Sequence, residues 1–151
     1  MIGVEADAST DARPEAVFDF IATAENHEKF MPSLVEVSDV EDTDTGIRGR
    51  YVFKLAGQTL EGTFNDTEFD RPNRRAYDLT GDAEGTVTWT VEPSGEETRV
   101  GYRQEFTLPG PDILETIGDP IARKYMQREA NTIVENVATL VEESAADAAP
   151  S

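Results

Sequence analysis

The chain has no cysteine among its 151 residues and only one histidine. The lack of cysteine excludes disulfide bonds and thiolate metal sites, and it argues against a small secreted scaffold held by disulfides. No apolar run approaches the ~20 residues needed to span a bilayer. The opening MIGVEADAST also lacks the basic and then apolar layout of a signal peptide. We therefore expect a cytoplasmic protein without membrane insertion.

Positive charge is scarce. The chain has 13 Lys and Arg against 31 Asp and Glu, which gives a formal net charge of −18. The only lysines are Lys29, Lys54 and Lys124, and the acidic residues are spread along the whole chain. Such a field disfavours nucleic acid as a partner. Dispersed acid with little lysine favours adaptation to the salt-rich cytoplasm of a halophile, and the alternative is an acidic protein that recruits a basic partner.

Hydrophobic periodicity predicts a mixed chain. Residues 2–9 alternate as a half-buried strand, Pro14 opens an apolar helix, and a second short helix covers Glu25–Phe30. From residue 34 onward the period changes to two, with turn signals between the runs. The predicted strands of this region are Leu34–Glu41, Ile47–Ala56, Thr59–Phe69, Arg74–Thr80, Gly85–Glu92 and Thr98–Leu108.

The C-terminal part returns to a helical pattern. The apolar stripe changes face near Gly118–Pro120, where the proline removes an internal hydrogen bond, so we expect a bend there. A long amphipathic helix then runs to about Glu142, and residues 143–151 (ESAADAAPS) are expected to be a disordered tail. The predicted fold is α+β, with one domain over residues 1–142. Seven antiparallel strands form a curved sheet wrapped around the long helix, and two short helices follow the first strand.

Three stretches resemble a known family. These are Ala12–Ile21 (ARPEAVFDFI), His27–Val35 (HEKFMPSLV) and Arg99–Pro109 (RVGYRQEFTLP), the last followed by the long helix. Together with the element order they resemble the START-like superfamily, also called SRPBCC, and most of all its polyketide cyclase/dehydrase and lipid-transport branch. The resemblance covers residues 1–142. Phe30-Met31-Pro32 is also similar to the quinone-binding relatives.

The resemblance implies the helix-grip fold, with a cavity between the sheet and the long helix. Family members typically bind a hydrophobic molecule there, such as a lipid, sterol, polyketide or quinone, and some catalyse cyclisation or dehydration. For this chain it implies a small hydrophobic molecule as partner. It does not indicate the oligomeric state.

Strand alternation gives the side chains that face inward. The broader set includes Tyr51, Leu60, Gly62, Val87 and Leu108, with Ala122 and Ile133 facing them from the helix. The alternative is that these side chains simply fill the core. We predict that the ligand-binding residues are Phe53, Leu55, Phe64, Tyr77, Leu79, Trp89, Val91, Tyr102, Gln104, Phe106, Met126 and Ala130.

Few residues are candidates for catalysis or for polar contacts with a ligand. Gln104 has inward parity, and its amide could orient a ligand oxygen. The alternatives are a hydrogen bond to Tyr77 or to the backbone, or a bulge that turns Gln104 outward. His27 lies in a charged stretch, and we expect it to be exposed; Arg74 and Arg75 are expected to form surface salt bridges. No cofactor motif is present, and catalytic residues cannot be named. The remaining acidic cluster is expected to be a solvated hairpin without metal and consists of Asp39, Glu41, Asp42 and Asp44.

Three functions fit this sequence. The first is binding or transport of a small hydrophobic ligand in an internal cavity. The second is a polyketide cyclase or dehydratase-like enzyme that uses the same cavity. The third is an accessory protein whose core is filled by side chains. The first is favoured because no acid–base pair with inward parity is recognisable.

Overall fold

A computed structural model describes residues 2–55, 57–107 and 119–148. Seven strands form one antiparallel sheet in the order β1-β7-β6-β5-β4-β3-β2. β1 therefore returns to pair with β7, with Ile2 opposite Phe106 and Thr10 opposite Thr98. The bounds of the strands are Ile2–Thr10 (β1), Leu34–Asp42 (β2), Ile47–Leu55 (β3), Gln58–Asp70 (β4), Arg74–Gly81 (β5), Glu84–Ser94 (β6) and Glu97–Thr107 (β7).

Two short helices connect β1 to β2. Helix α1 spans Pro14–Ala22, a 3-10 turn spans Ala24–Asn26, and helix α2 spans His27–Phe30. Pro14 begins α1 because its fixed φ angle suits the first helical turn and the hydrogen bond it lacks is not needed there. The buried face of α1 carries Val17, Phe18 and Ile21.

The long helix α3 spans Asp119–Ala148. It lies mainly along β1 and also contacts α1, α2 and β7. At its far end Glu142 accepts hydrogen bonds from the Thr10 hydroxyl and from the backbone N–H of Asp11, both at 3.0 Å. These contacts fix α3 across the first strand.

The predicted α+β helix-grip architecture is confirmed, because the curved sheet, the two short helices and the long C-terminal helix occur in the expected order. α3 continues to Ala148, beyond the predicted end at Glu142 and into the stretch expected to be a disordered tail. Alanine, the best helix former, supplies much of this extension, and Pro150 is the first strong breaker. The bend predicted at Gly118–Pro120 begins at a residue outside the described ones, and Leu108 lies outside them as well.

β2 is the irregular strand of the sheet. Its register against β3 shifts between Leu34 and Glu36 and again between Ser38 and Glu41. Asp39 has a φ of 53°, a left-handed conformation that short polar residues tolerate better than bulky ones. As a result the alternation of β2 is broken: Val35 is exposed while Val37 is half-buried.

Among the described residues, no helix is both long enough and apolar enough to cross a membrane.

Candidate functional site

A pocket opens between the inner face of the sheet, α3 and the segment that joins α2 to β2. It contains about 680 Å³ of space unfilled by atoms, its open mouth included. About 90 Å³ of this can hold the centre of a water-sized sphere. One sphere of that size occupies roughly 10–15 Å³, so the pocket has room for more than a single water molecule. The space is therefore a true void and not a gap between packed side chains.

The predicted site residues divide into two groups. Seven of the twelve line the pocket: Phe53, Phe64, Tyr77, Leu79, Tyr102, Gln104 and Met126. The other five are buried in the packed core and do not reach the pocket wall: Leu55, Trp89, Val91, Phe106 and Ala130.

Trp89 illustrates why inward parity alone does not place a residue at the pocket. Its ring packs edge-on against Phe30 on one side, at 5.7 Å between ring centroids, and against Tyr102 on the other, at 4.8 Å. Trp89 is fully buried and does not line the pocket. Parity indicates which face of the sheet a side chain occupies, whereas the helices that cover that face decide where space remains.

Sequence reasoning missed one wall of the pocket. Tyr51, Val87 and Ile133 have inward parity but are absent from the predicted ligand-binding set, and they do line the pocket. The residues missed altogether come from α2, the α2–β2 segment, β2 and α3: His27, Met31, Ser33, Leu34, Val37 and Glu129. The bulges of β2 break the period-two signal, so alternation could not have identified Leu34 and Val37.

The polar groups of the pocket are mostly amide and hydroxyl groups on strands. Tyr102 donates a 2.9 Å hydrogen bond to Oε1 of Gln104, so Gln104 faces inward and its partner is Tyr102, not Tyr77 or the backbone. The Tyr51 hydroxyl donates to the backbone oxygen of Thr80 at 3.1 Å. Burial raises the pKa of Tyr51 to about 12 and that of Tyr102 well above its ordinary value. These phenols therefore remain neutral donors at physiological pH.

Two polar groups of the pocket have no hydrogen-bond partner among the described residues. Among the described residues, neither Nε2 of Gln104 nor the Tyr77 hydroxyl has a partner in hydrogen-bond geometry. The Trp89 indole N–H is close enough to help lower the pKa of Tyr77 but is not aligned for a hydrogen bond. Burial dominates and raises that pKa. One donor amide and one hydroxyl are thus available to a molecule in the pocket.

His27 is buried, contrary to the expectation that it would be exposed; it is only 6 % accessible. It lies three residues before Phe30, on the same face of α2, and the two rings pack 5.2 Å apart. Its Nδ1 is 3.1 Å from the backbone oxygens of Thr23 and Ala24, so this nitrogen carries the proton. Nε2 then accepts a 3.0 Å hydrogen bond from Nη1 of Arg75.

Arg75 corrects a second expectation, since only its neighbour Arg74 forms a surface pair, with Glu68. The Arg75 side chain is fully buried and pairs with the equally buried Asp66, whose Oδ1 accepts a 3.0 Å hydrogen bond from Nε. Nη2 lies 3.0 Å from the same oxygen but is not aligned for a hydrogen bond. Oδ2 of Asp66 accepts from the backbone N–H of Ile47 at 2.8 Å.

The sequence contains a pattern from which the Asp66–Arg75 pair could have been predicted. Asp66 has the same strand parity as Phe64, and Arg75 has the same parity as Tyr77, so alternation places two opposite charges on the inward face. In the sheet Asp66 lies opposite Tyr77, which places Arg75 on the diagonal. Burial and the Arg75 charge lower the pKa of His27 to about 4, so the imidazole is neutral.

The described residues contain no cluster of three or more His, Asp or Glu side chains that could hold a metal ion. In the acidic hairpin, Glu41 forms an exposed ion pair with Arg48 at 2.7 Å.

A family model described as polyketide cyclase / dehydrase and lipid transport matches residues 1–142. The chain belongs to this family. No curated protein matches it.

Solved structures similar to this member of the polyketide cyclase/dehydrase and lipid-transport family share its fold. TTHA0849 from Thermus thermophilus is 23% identical, with a TM-score of 0.81 over 94% of this chain and 98% of that one. The ZhuI aromatase/cyclase from Streptomyces sp. R1128 is 15% identical, with a TM-score of 0.78 over 93% of each chain. A START superfamily protein from Mycobacterium smegmatis is 15% identical, with a TM-score of 0.74 over 94% and 98%. At these identities the likeness shows the START-like fold alone.

Proposed function

We propose that the protein binds a small, largely apolar molecule with at least one polar function in the pocket between the sheet and α3. The observation that carries this proposal is a real void with an apolar wall and two open polar groups, Nε2 of Gln104 and the Tyr77 hydroxyl. Small-molecule sites are typically concave and mostly apolar, with a few convergent polar groups that orient the ligand. Family membership supports the same reading.

Binding is favoured over the cyclase or dehydratase alternative by the state of the only histidine. Both ring nitrogens of His27 are engaged, one with backbone oxygens and the other with Arg75. To act as a general base, the imidazole would need a free ring nitrogen within reach of the substrate proton. The imidazole therefore serves as part of the wall and is not offered for proton transfer.

The filled-core alternative makes an opposite prediction for residues at the wall. Val37 lines the pocket, whereas Val35, two residues earlier on the same strand, is 51% exposed and does not line it. Val37→Phe should fill part of the void and weaken binding of a neutral dye such as Nile red by about tenfold or more. Val35→Phe adds the same ring outside the pocket, so it should leave the affinity unchanged.

Dye emission and the fluorescence of Trp89, which packs on the pocket-lining Tyr102, report the binding. Native mass spectrometry before and after organic extraction tests for a ligand carried through purification. If Nile red does not bind the wild-type protein, or if both valine variants bind it equally, the proposal is wrong. If the core is filled, the dye does not bind the wild-type protein, and Val37→Phe should lower the free energy of unfolding by more than ~1 kcal/mol through overpacking.

A further inference from the structure

Glu129 places a carboxylate in the pocket wall. It is a half-buried residue of α3 that lines the void. Its Oε1 accepts a 2.7 Å hydrogen bond from the backbone N–H of Ser33, in the α2–β2 segment on the opposite side. The Ser33 hydroxyl is in turn 3.1 Å from the hydroxyl of Tyr125, one helical turn before Glu129. The carboxylate is thus held in place and is not a freely rotating surface side chain.

The charge of Glu129 is not balanced inside the pocket. Among the described residues that line the void, Glu129 is the only one with a formal charge, because His27 is neutral. The buried cation behind the wall, Arg75, is offset by Asp66. The described residues that line the pocket therefore carry a net negative charge on a mostly apolar surface.

The field of this carboxylate extends into the pocket. Burial is the main cause of the raised pKa of Tyr102, and Tyr77 and Glu129 raise it further. Tyr102 is itself fixed to Gln104 deep in the pocket. A ligand that reaches these interior groups is therefore also exposed to the charge of Glu129.

We propose that Glu129 determines the ligand class of this pocket: it selects amphiphiles that end in a protonated amine and rejects carboxylic acids of the same shape. The inference rests on the proposed function, since it assumes that the pocket takes a ligand. An ammonium group gains a charge-assisted hydrogen bond to the carboxylate. A carboxylate ligand meets like charge in a partly desolvated site.

Three probes with the same ring system test this selection. They are 2-naphthylmethylamine, 2-naphthylmethanol and 2-naphthoate, measured by displacement of Nile red at a fixed salt concentration. Hydrogen bonds to charged groups are strong enough that the amine should bind the wild-type protein about tenfold or more tighter than the alcohol. Naphthoate should bind most weakly of the three.

Glu129→Gln keeps an oxygen that can accept the Ser33 N–H but removes the charge. In this variant the amine and the alcohol should bind within about twofold of each other. Glu135→Gln is the matched control, because Glu135 is an exposed glutamate of the same helix that does not line the pocket. It removes the same charge from the general field of the protein and should retain the wild-type selectivity.

The outcomes distinguish the two proposals. If none of the probes and not even Nile red binds the wild-type protein, the proposed function itself fails. If the alcohol binds but naphthoate binds as well as the amine, the selection by charge is overturned. It is equally overturned if Glu135→Gln reduces the amine preference as much as Glu129→Gln, or if Glu129→Gln lowers the melting temperature while the preference persists.

Discussion

Acid should destabilise this protein through His27. The imidazole is buried among Phe30, Arg75 and the backbone of the 3-10 turn, and its pKa is lowered from 6.5 to about 4, first by burial and then by the Arg75 charge. The unfolded chain binds a proton on this residue below pH 6.5, while the folded chain resists it until about pH 4. The contribution of neutral His27 to stability is therefore complete above pH 6.5 and is lost as the pH falls toward 4.

The size of the effect follows from the two pKa values. Each tenfold change in proton affinity corresponds to about 1.4 kcal/mol. The difference between 6.5 and about 4 amounts to about 3 kcal/mol. This is a large part of the ~5–15 kcal/mol by which domains are usually stable.

Urea unfolding at pH 7 and pH 4.5 measures the effect, with His27→Gln as the matched variant. Glutamine can still accept from Arg75 but does not titrate. Many carboxylates also titrate in this range, so the informative quantity is the wild-type loss minus the loss in His27→Gln. Because the chain has one histidine, the NMR titration of its ring is unambiguous. A midpoint near 6.5 in the folded protein, or equal losses in both proteins, would refute the reasoning.

Three further perturbations test the charges. Asp66→Asn leaves the buried Arg75 without its counter-ion and should cost about 3–5 kcal/mol in urea unfolding. Glu68→Gln removes the exposed partner of Arg74 and should cost less than ~1 kcal/mol; similar losses in the two variants would contradict the burial argument. The net charge of −18 should make folding depend on salt, with a melting temperature at least ~10 °C higher in molar potassium chloride than in dilute buffer. A melting temperature indifferent to salt would count against adaptation to high salt.

Periodicity predicted the strands well because each strand either pairs with a neighbouring strand on both sides or packs one face against the core. The predicted strand from Arg74 to Thr80 differs by one residue from β5, and that from Leu34 to Glu41 by one residue from β2. Period-two alternation is imposed by the geometry of a strand, so one buried face is enough to reveal it. The end of α3 was harder to predict because residues beyond Glu142 are polar and small, and no apolar stripe marks where the helix stops.

The pocket was harder to predict than the sheet. Parity selects Trp89 and Tyr102 equally, although of the two only Tyr102 lines the pocket, while Trp89 packs against Phe30 from helix α2. The reverse error occurred at His27. Its charged neighbours suggested exposure, but a helix of four residues has an inner face as well as an outer one, and His27 shares that face with Phe30.

The buried network of His27, Arg75 and Asp66 lies at the wall of the pocket. A pocket deprives its wall of the packing contacts that hold an ordinary core side chain in place. The α2–β2 segment forms part of that wall, and its neighbouring helix is fixed by hydrogen bonds that Arg75 donates to His27, to Asp66 and to the Ile21 oxygen. A buried ion pair is weak support for net stability compared with apolar residues of the same volume. Its directional bonds, however, fix distances that loose packing around a void cannot. The network therefore accounts better for the position of the pocket wall than for the stability of the fold.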